Sequence, residues 1–527
     1  TQAKTLFPYT TLFRSPPNPN PPVFSLTARD VGMDSQLVAW GALTPSPWLW
    51  QAAPCDFLGT GYPSIVVGDH NGSAAGCKIF DCNIPNNGQW TYTDTTLSQY
   101  NIDGKTLGSA GGTLLFLDMN NDGNPDFIST SGSTTNQPGS YLINGKLVKQ
   151  STAVDLSGGY GNYYSYFGDL DGDGDVDAYS HPSLFPADIA SLESFKRVKQ
   201  IWNGSGYTEI VEPRPIPAGI PEAVKSAVVA NLKSPTFEKG HPRFFKMDLD
   251  HDGLEDLVIA TFFAYNSQLN SCWFLKNNGD GTYTDNGAAW GLPNVGNFMP
   301  LMPAHLNIPR LEFCDPDLHK MIDGQGSMHL FISRGTSPGI YKWNGSSYTK
   351  QVVTVFTAAG NDDYMQECLA VDFTNSGVLD IVFNSPRNTA CWVLRNNGSG
   401  VFTQYNGPTY PNNRFVHWSP QGLSIFDWKN NGRMHMLIGG NDGTSTGGGG
   451  TGASARCLRI WENTTTYIGN YLKVKLLRAT GNNRVGLGST IEIFQAGTST
   501  RIGKWPANYF GMATHFGVGT RSTDRKS

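Results

Sequence analysis

Long apolar runs are missing from this chain. No stretch approaches the roughly 20 residues that a membrane-spanning helix needs, so no such span is expected. Charge is scarce as well: charged residues are 15 % of the 527, the formal net charge is −5, and lysine and arginine form no cluster. A nucleic-acid-binding surface needs such a cluster to neutralise phosphates, so nucleic acid is not an expected partner. There is no G-x-S-x-G, H-E-x-x-H or P-loop, no C-x-x-C pair, and the ten histidines form no ligand-spaced pair. On those absences the expectation is a protein with no catalysis of its own.

Glycine (61 residues) and aromatics (12 %) are plentiful, the composition of a turn-rich β protein. Three nonapeptides share one pattern: Asp118-Met-Asn120-Asn-Asp122-Gly123-Asn-Pro-Asp126, Asp169-Leu-Asp171-Gly-Asp173-Gly174-Asp-Val-Asp177 and Asp248-Leu-Asp250-His-Asp252-Gly253-Leu-Glu-Asp256. Oxygen side chains at positions 1, 3, 5 and 9 suit Ca²⁺, a hard cation that takes six to eight oxygens. Glycine at position 6 permits the sharp turn that brings them together. Three converging carboxylates without a cation would repel one another. An EF-hand is excluded, because position 12 is Ser129, Ser180 or Ile259 rather than glutamate, and the flanks are β-rich. These are loops joining two strands.

The same frame recurs in weaker form at Asp56, Met321, Asp372 and Asp427, each copy followed by an apolar run. Asp372, Thr374, Ser376 and Asp380 keep two carboxylates and make a fourth candidate calcium site. The copies beginning at Met321 and Asp427 carry His329 and His435 at position 9 and are expected to have lost the metal. A second motif follows the loops, clearest in Cys272-Trp-Phe-Leu-Lys-Asn-Asn-Gly and Cys391-Trp-Val-Leu-Arg-Asn-Asn-Gly. Asn-Gly between alternating apolar residues signals a hairpin. Loop hairpin plus Asn-Gly hairpin is four strands, and seven such units predict an all-β fold: a seven-bladed β-propeller with a small C-terminal β-rich cap.

The loops resemble FG-GAP/VCBS repeats, the kind found in integrin α-subunit propellers and several lectins. Tyr283-Thr-Asp-Asn-Gly-Ala-Ala-Trp-Gly291, echoed at Phe24 to Gly32, is similar to the cartilage acidic protein family. Asn483-Arg-Val-Gly486-Leu-Gly488 and His515-Phe-Gly517-Val-Gly519 resemble its ASPIC/UnbV domain. The resemblance implies a propeller over residues 22–465 and a β-rich cap over 466–527, incomplete against the family pattern. The echo near Phe24 also implies that this segment adds a strand to the last blade, removing an open sheet edge. Residues 1–15 read as adapter-derived sequence and are set apart from the fold.

Eight cysteines allow 105 pairings, and Cys77 with Cys82 is the closest local pair. N-glycosylation sequons begin at Asn71, Asn203, Asn344, Asn397 and Asn463. Four of these are also ordinary Asn-Gly-Ser turns; the calcium loops and the cysteine usage give the expectation of a secreted or cell-surface protein. Residues 219–233 carry Pro221 and apolar residues at helical spacing, which predicts a short helix on the propeller rim. The functional expectation is an extracellular calcium-binding recognition or matrix protein that contacts proteins or glycans, with homo-assembly through a strand edge as one mode. A polysaccharide-active enzyme ranks last, and the nearer alternative is a calcium-dependent lectin binding sugar between blades. Against it, Trp202, Trp273, Trp343, Trp392 and Trp461 fall on one face of a repeated strand, where tryptophan packs sheet on sheet.

Overall fold

Alternating apolar residues and Asn-Gly or Asp-Gly turns do produce strand hairpins, as the computed structural model of the chain displays. It describes residues 25–29, 49–56, 62–69, 78–83, 91–94, 114–118, 126–129, 140–143, 146–149, 166–168, 177–180, 189–193, 196–202 and 207–213. Further along it describes 216–232, 242–261, 272–294, 298–300, 316–332, 337, 339–353, 367–385, 390–405, 418–441, 456–466, 468–476, 490–495, 497–506 and 513–519.

Among the described residues there are seven four-stranded antiparallel sheets and two two-stranded ones. Six of the larger sheets take four consecutive strands in chain order. Sheet 1 begins at Leu49–Cys55, sheet 2 at Leu114–Leu117 and sheet 3 at Tyr166–Gly168. Sheet 4 begins at Pro242–Met247, sheet 5 at Phe298–Pro300 and sheet 6 at Glu367–Val371. Sheet 7 differs. Trp418–Phe426, His435–Asn441 and Arg456–Asn463 are joined there by Leu26–Arg29 from the start of the chain. Leu26 pairs with Asn463, its side chain is fully buried, and Thr464 N donates to the Ser25 carbonyl at 2.9 Å. The N-terminal strand thus covers an edge that would otherwise offer unpaired backbone groups.

The second strands of sheets 4, 5, 6 and 7 are buried on both faces, so these neighbouring sheets share cores. In sheet 4, Val258 and Ala260 point toward Leu330, Ile332 and Tyr341 of sheet 5. Phe331 of sheet 5 meets Phe383 of sheet 6 at 5.5 Å between ring centroids. Sheets 6 and 7 share a cluster around Val382, Val393, Ile425 and Trp461. Ser424 of sheet 7 donates to the Ala52 carbonyl of sheet 1 at 2.6 Å, so the last sheet meets the first. Trp273, Trp343, Trp392 and Trp461 are buried between layers; the side chain of Trp202 lies outside the described residues.

Among the described residues, the other face of sheet 4, bearing Leu257, Ile259, Trp273 and Leu275, packs against helices. These are α1 (Ile189–Glu193) and α2 (Glu222–Leu232). Helix α2 forms because Ile220, Val224 and Val228 make one apolar stripe and the Pro221 carbonyl accepts Val224 N and Lys225 N. It therefore packs on a sheet face instead of the rim expected from sequence. A third helix, α3 (Pro316–Asp323), precedes the second strand of sheet 5.

Past sheet 7, Asn470–Val474 pairs with Thr514–Gly519, and Thr490–Phe494 pairs with Arg501–Pro506. Among the described residues no helix is long and apolar enough to cross a membrane. Cys55, Cys272, Cys368 and Cys391 carry thiols, while Cys77 and the Cys82 side chain lie outside the described residues. The Asn463 sequon is closed off: its side chain is 1 % exposed and donates to the Phe373 carbonyl. Asn344 and Asn397 stand exposed on hairpin turns.

Candidate metal centre

The Asp248–Asp256 loop joins the first two strands of sheet 4, and its shape follows from two left-handed residues. Gly253 at position 6 has φ +89°, as the motif requires, but His251 at position 4 is left-handed too, at φ +60°. Asn375 and Asn430 occupy position 4 of the sheet 6 and sheet 7 loops at φ +55° and +52°. That second requirement was readable in the sequence, because position 4 is Asn, Gly or His in these copies, types enriched among left-handed residues.

Position 1 is a cap. Asp248 accepts hydrogen bonds from Asp252 N and Gly253 N, both at 3.1 Å. Asp372 does the same for Ser376 N and Gly377 N, and Asp427 for Asn431 N and Gly432 N. Position 9 is a tie to the third strand. Asp256 accepts from Asn277 N, Asp380 from Asn396 N, and His435 Nδ1 from Asn463 N, each at 2.9 Å. The loop scaffold is thus kept by hydrogen bonds that survive replacement of the carboxylate by imidazole.

What sets the sheet 4 loop apart among the described residues is convergence. Carboxylate oxygens of Asp248, Asp250 and Asp256 lie within 4.8 Å of one another, a spacing compatible with one cation holding oxygens at about 2.3–2.6 Å. Asp250 Oδ1 is buried with no hydrogen-bond partner. A buried carboxylate oxygen left unpartnered is costly unless a cation takes it, so these residues fit a calcium ion. Asp252, the remaining predicted ligand, is exposed; Leu254 N donates to its Oδ1, and Lys276 Nζ holds its Oδ2 at 2.6 Å. Lys276 hydrogen bonds keep the Asp252 carboxyl below the usual range.

The other predicted ligands divide into two groups. Asp118 and Asp126 are buried at the ends of sheet 2 strands, whereas Asn120, Asp122, Asp169, Asp171, Asp173 and the Asp177 side chain lie outside the described residues. In the sheet 6 loop, Thr374 Oγ1 and Ser376 Oγ are 3.0 Å apart and Asp380 is ion-paired to Arg395 at 3.0 Å. Burial raises Asp372 to about 7 and Asp380 to about 6. Sequence reading missed one capping residue. In sheet 5 the cap is Asp323, which accepts Gln325 N and Gly326 N at 2.8 and 2.9 Å; the Asp323-Gly324 dipeptide was its signal. His329 there is driven down to about 4 by burial.

A groove of about 940 Å³ opens beside the sheet 4 loop, lined by Asp250, His251, Lys342, Trp343, Asn344 and Gln351. Val352 and Val401 on its lip are 88 % and 53 % exposed.

Burial also pushes Asp256 up to about 6, against hydrogen bonds from Asn277 N and Leu249 N. Without a cation this raised carboxyl costs nothing below about pH 4, where folded and unfolded chains are both protonated; the cost grows as pH rises to about 6 and is constant above. A cation needs the carboxylate, so protons compete with it below about pH 6. The calcium-induced rise in melting temperature should be full near neutral pH and shrink as pH falls from about 6 to 5. Differential scanning calorimetry across that window checks this, and an undiminished rise at the acid end would count against Asp256 as a ligand.

The FG-GAP-like repeat family matches residues 118–180, the span from the sheet 2 loop into sheet 3. With the recurring four-stranded sheets, this makes the chain a repeat β-propeller in architecture. No curated protein matches the chain. Solved structures similar to it include an Agrocybe aegerita lectin described as recognising non-reducing terminal N-acetylglucosamine. That likeness is at 19 % identity over 68 % of this chain and 80 % of the lectin, with TM-score 0.34. An exotype rhamnogalacturonan lyase is similar at 12 % identity over 85 % of this chain and 76 % of the lyase, with TM-score 0.38. A Penicillium chrysogenum α-L-arabinanase is similar at 9 % identity over 84 % of this chain and 98 % of the arabinanase, with TM-score 0.28.

The last two findings correct the expectation of a protein without catalysis. Solved structures similar to this chain include two enzymes, and an absence of contiguous motifs does not by itself exclude catalysis. On a repeat scaffold, acid and base groups are brought together from loops far apart in sequence, and paired carboxylates leave no local signature.

Proposed function

We propose that this chain is an extracellular calcium-binding recognition or matrix protein, built as a seven-bladed propeller whose last blade is completed by Leu26–Arg29. The observation that carries this reading is the convergence of Asp248, Asp250 and Asp256 around the unpartnered Asp250 Oδ1. In it, Ca²⁺ neutralises the three carboxylates and fixes the loop that forms one wall of the groove, while the rigid sheets present that groove to a partner. The Asp118–Asp126 and Asp169–Asp177 loops hold further ions by the same pattern, and Asp372 with Asp380 makes a weaker fourth site. Residues 466–527 form a β-rich cap related to the ASPIC/UnbV type.

A second reading, a calcium-dependent lectin, draws on the groove itself. Asn344 and Gln351 supply amides and His251 and Trp343 aromatic rings, a mixture suited to sugar hydroxyls and C–H faces. Elemental analysis should find at least two tightly held calcium ions per chain. Deglycosylated protein on glycan and matrix-protein arrays, with and without calcium, separates the readings. Saturable glycan binding competed by free sugar selects the lectin, and calcium-dependent capture of a matrix protein selects the recognition role. A chain that binds neither calcium nor any arrayed ligand refutes both.

A further inference from the structure

Four loops on this molecule each meet a cation supplied by the chain itself. In sheet 5 it is Lys342, 3.2 Å from Asp323; in sheet 6, Arg395, 3.0 Å from Asp380; in sheet 7, Lys473, 2.5 Å from Asp427. In sheet 4 it is Lys276, whose ammonium holds both Asp250 Oδ2 and Asp252 Oδ2. The two oxygens belong to positions 3 and 5, the places where the loop pattern expects a metal to be held. Lys276 reaches them from the end of the strand Cys272–Asn277, and its side chain is 31 % exposed.

The balance of charge differs among the loops. Sheet 7 sets Asp427 against Lys473, and Lys473 also donates to Asn430 Oδ1 at 2.7 Å. Sheet 4 sets Asp248, Asp250, Asp252, Glu255 and Asp256 against Lys276. One ammonium cannot neutralise that cluster, but it does stand where a divalent ion would be repelled by it.

We infer that Lys276 is a tethered competitor for calcium, which sets the affinity of the Asp248–Asp256 loop by holding Asp250 and Asp252 until the ion displaces it. The inference rests on the calcium reading of that loop. Lysine suits the role because its point charge sits on a flexible four-carbon stem that can swing to solvent without disturbing the strand. Removing the charge leaves the three converging carboxylates in place and eliminates the rival.

The test is calcium titration of the full chain by calorimetry, comparing wild type with Lys276→Met, Lys276→Gln and Lys276→Arg. Met and Gln keep the stem and should tighten one site by about tenfold or more, while Arg stays within about threefold of wild type. Adding Asp250→Asn to Lys276→Met should abolish the tightened site, which assigns it to this loop rather than to those of sheets 2 and 3. Equal or weaker binding by both neutral variants overturns the role of Lys276 and leaves the metal site standing. An ion count that Asp250→Asn leaves unchanged instead overturns the calcium reading of this loop, and the inference with it.

Discussion

Replacing Asp250 by Asn should destabilise the calcium-loaded protein by about 3 kcal/mol and leave the chelated protein nearly unchanged. An ion that binds only the folded chain contributes RT ln(1 + [L]/Kd), about 2.7 kcal/mol when free calcium is a hundred times the dissociation constant. Asp250 supplies the buried oxygen that has no other partner, so its loss removes most of that stabilisation. In chelator the same substitution weakens one Lys276 ion pair but also relieves the repulsion of Asp250 by the like charges of Asp248 and Asp256. Paired thermal or urea unfolding with excess calcium and with chelator measures the difference. Equal destabilisation in both conditions would mean that Asp250 serves the Lys276 pair alone.

The second large effect lies where the C-terminal strands meet the repeat region. Gly517 is pressed against the sheet 6 loop: a Cβ there would stand 1.9 Å from Asp372 Oδ2 and 2.7 Å from the Asn375 backbone. Neither neighbour can withdraw. Asp372 is buried and caps its loop, and Asn375 is held by its side chain's 2.8 Å hydrogen bond to the Gly432 carbonyl. Gly517→Ala should therefore lift the pair Asn470–Val474 and Thr514–Gly519 off the loop. That movement breaks the hydrogen bonds from Gly519 N to the Asn375 carbonyl, from Gly469 N to the Thr374 carbonyl and between His515 Nε2 and Asn375 Oδ1, all at 2.7 Å. Three such bonds at about 1 kcal/mol each, together with the burial of Phe516 and Val518, put the cost above about 3 kcal/mol.

The expected readout is rapid proteolysis within residues 470–519 while the repeat region stays resistant. Gly497→Ala is the control, since nothing lies within 4 Å of a Cβ there and its φ of +74° is the sole obstacle, a strain of about 1 kcal/mol. Comparable proteolysis of the two variants would show that the close approach of Gly517 does not hold the C-terminal strands down.

Much of this architecture is written locally. The unbroken apolar run Leu257, Val258, Ile259 and Ala260, β-branched at its centre and preceded by turn residues, suits a strand buried on both faces, and Asn-Gly turns set the hairpins. Aspartates at positions 1 and 9 with glycine at 6 specify the loop because the partners of position 1, the backbone N–H groups four and five residues on, are supplied by the loop itself. Helix α2 was equally plain from its stripe. Its seat on the face of sheet 4 was not, since any sheet with an uncovered apolar face would have served.

The tertiary structure alone decided which charges and which close contacts gather at each described loop. Lys276 follows Asp250 by 26 residues, Lys473 follows Asp427 by 46, and Gly517 lies far from Asp372. No spacing within a nonapeptide reports whether a cation from another strand, or a glycine from the end of the chain, arrives at it. Hydrogen bonds within a turn are local and are encoded where the turn is. Charge balance and steric access at the same turn are sums over everything the fold brings near, and they exist only once the sheets have packed.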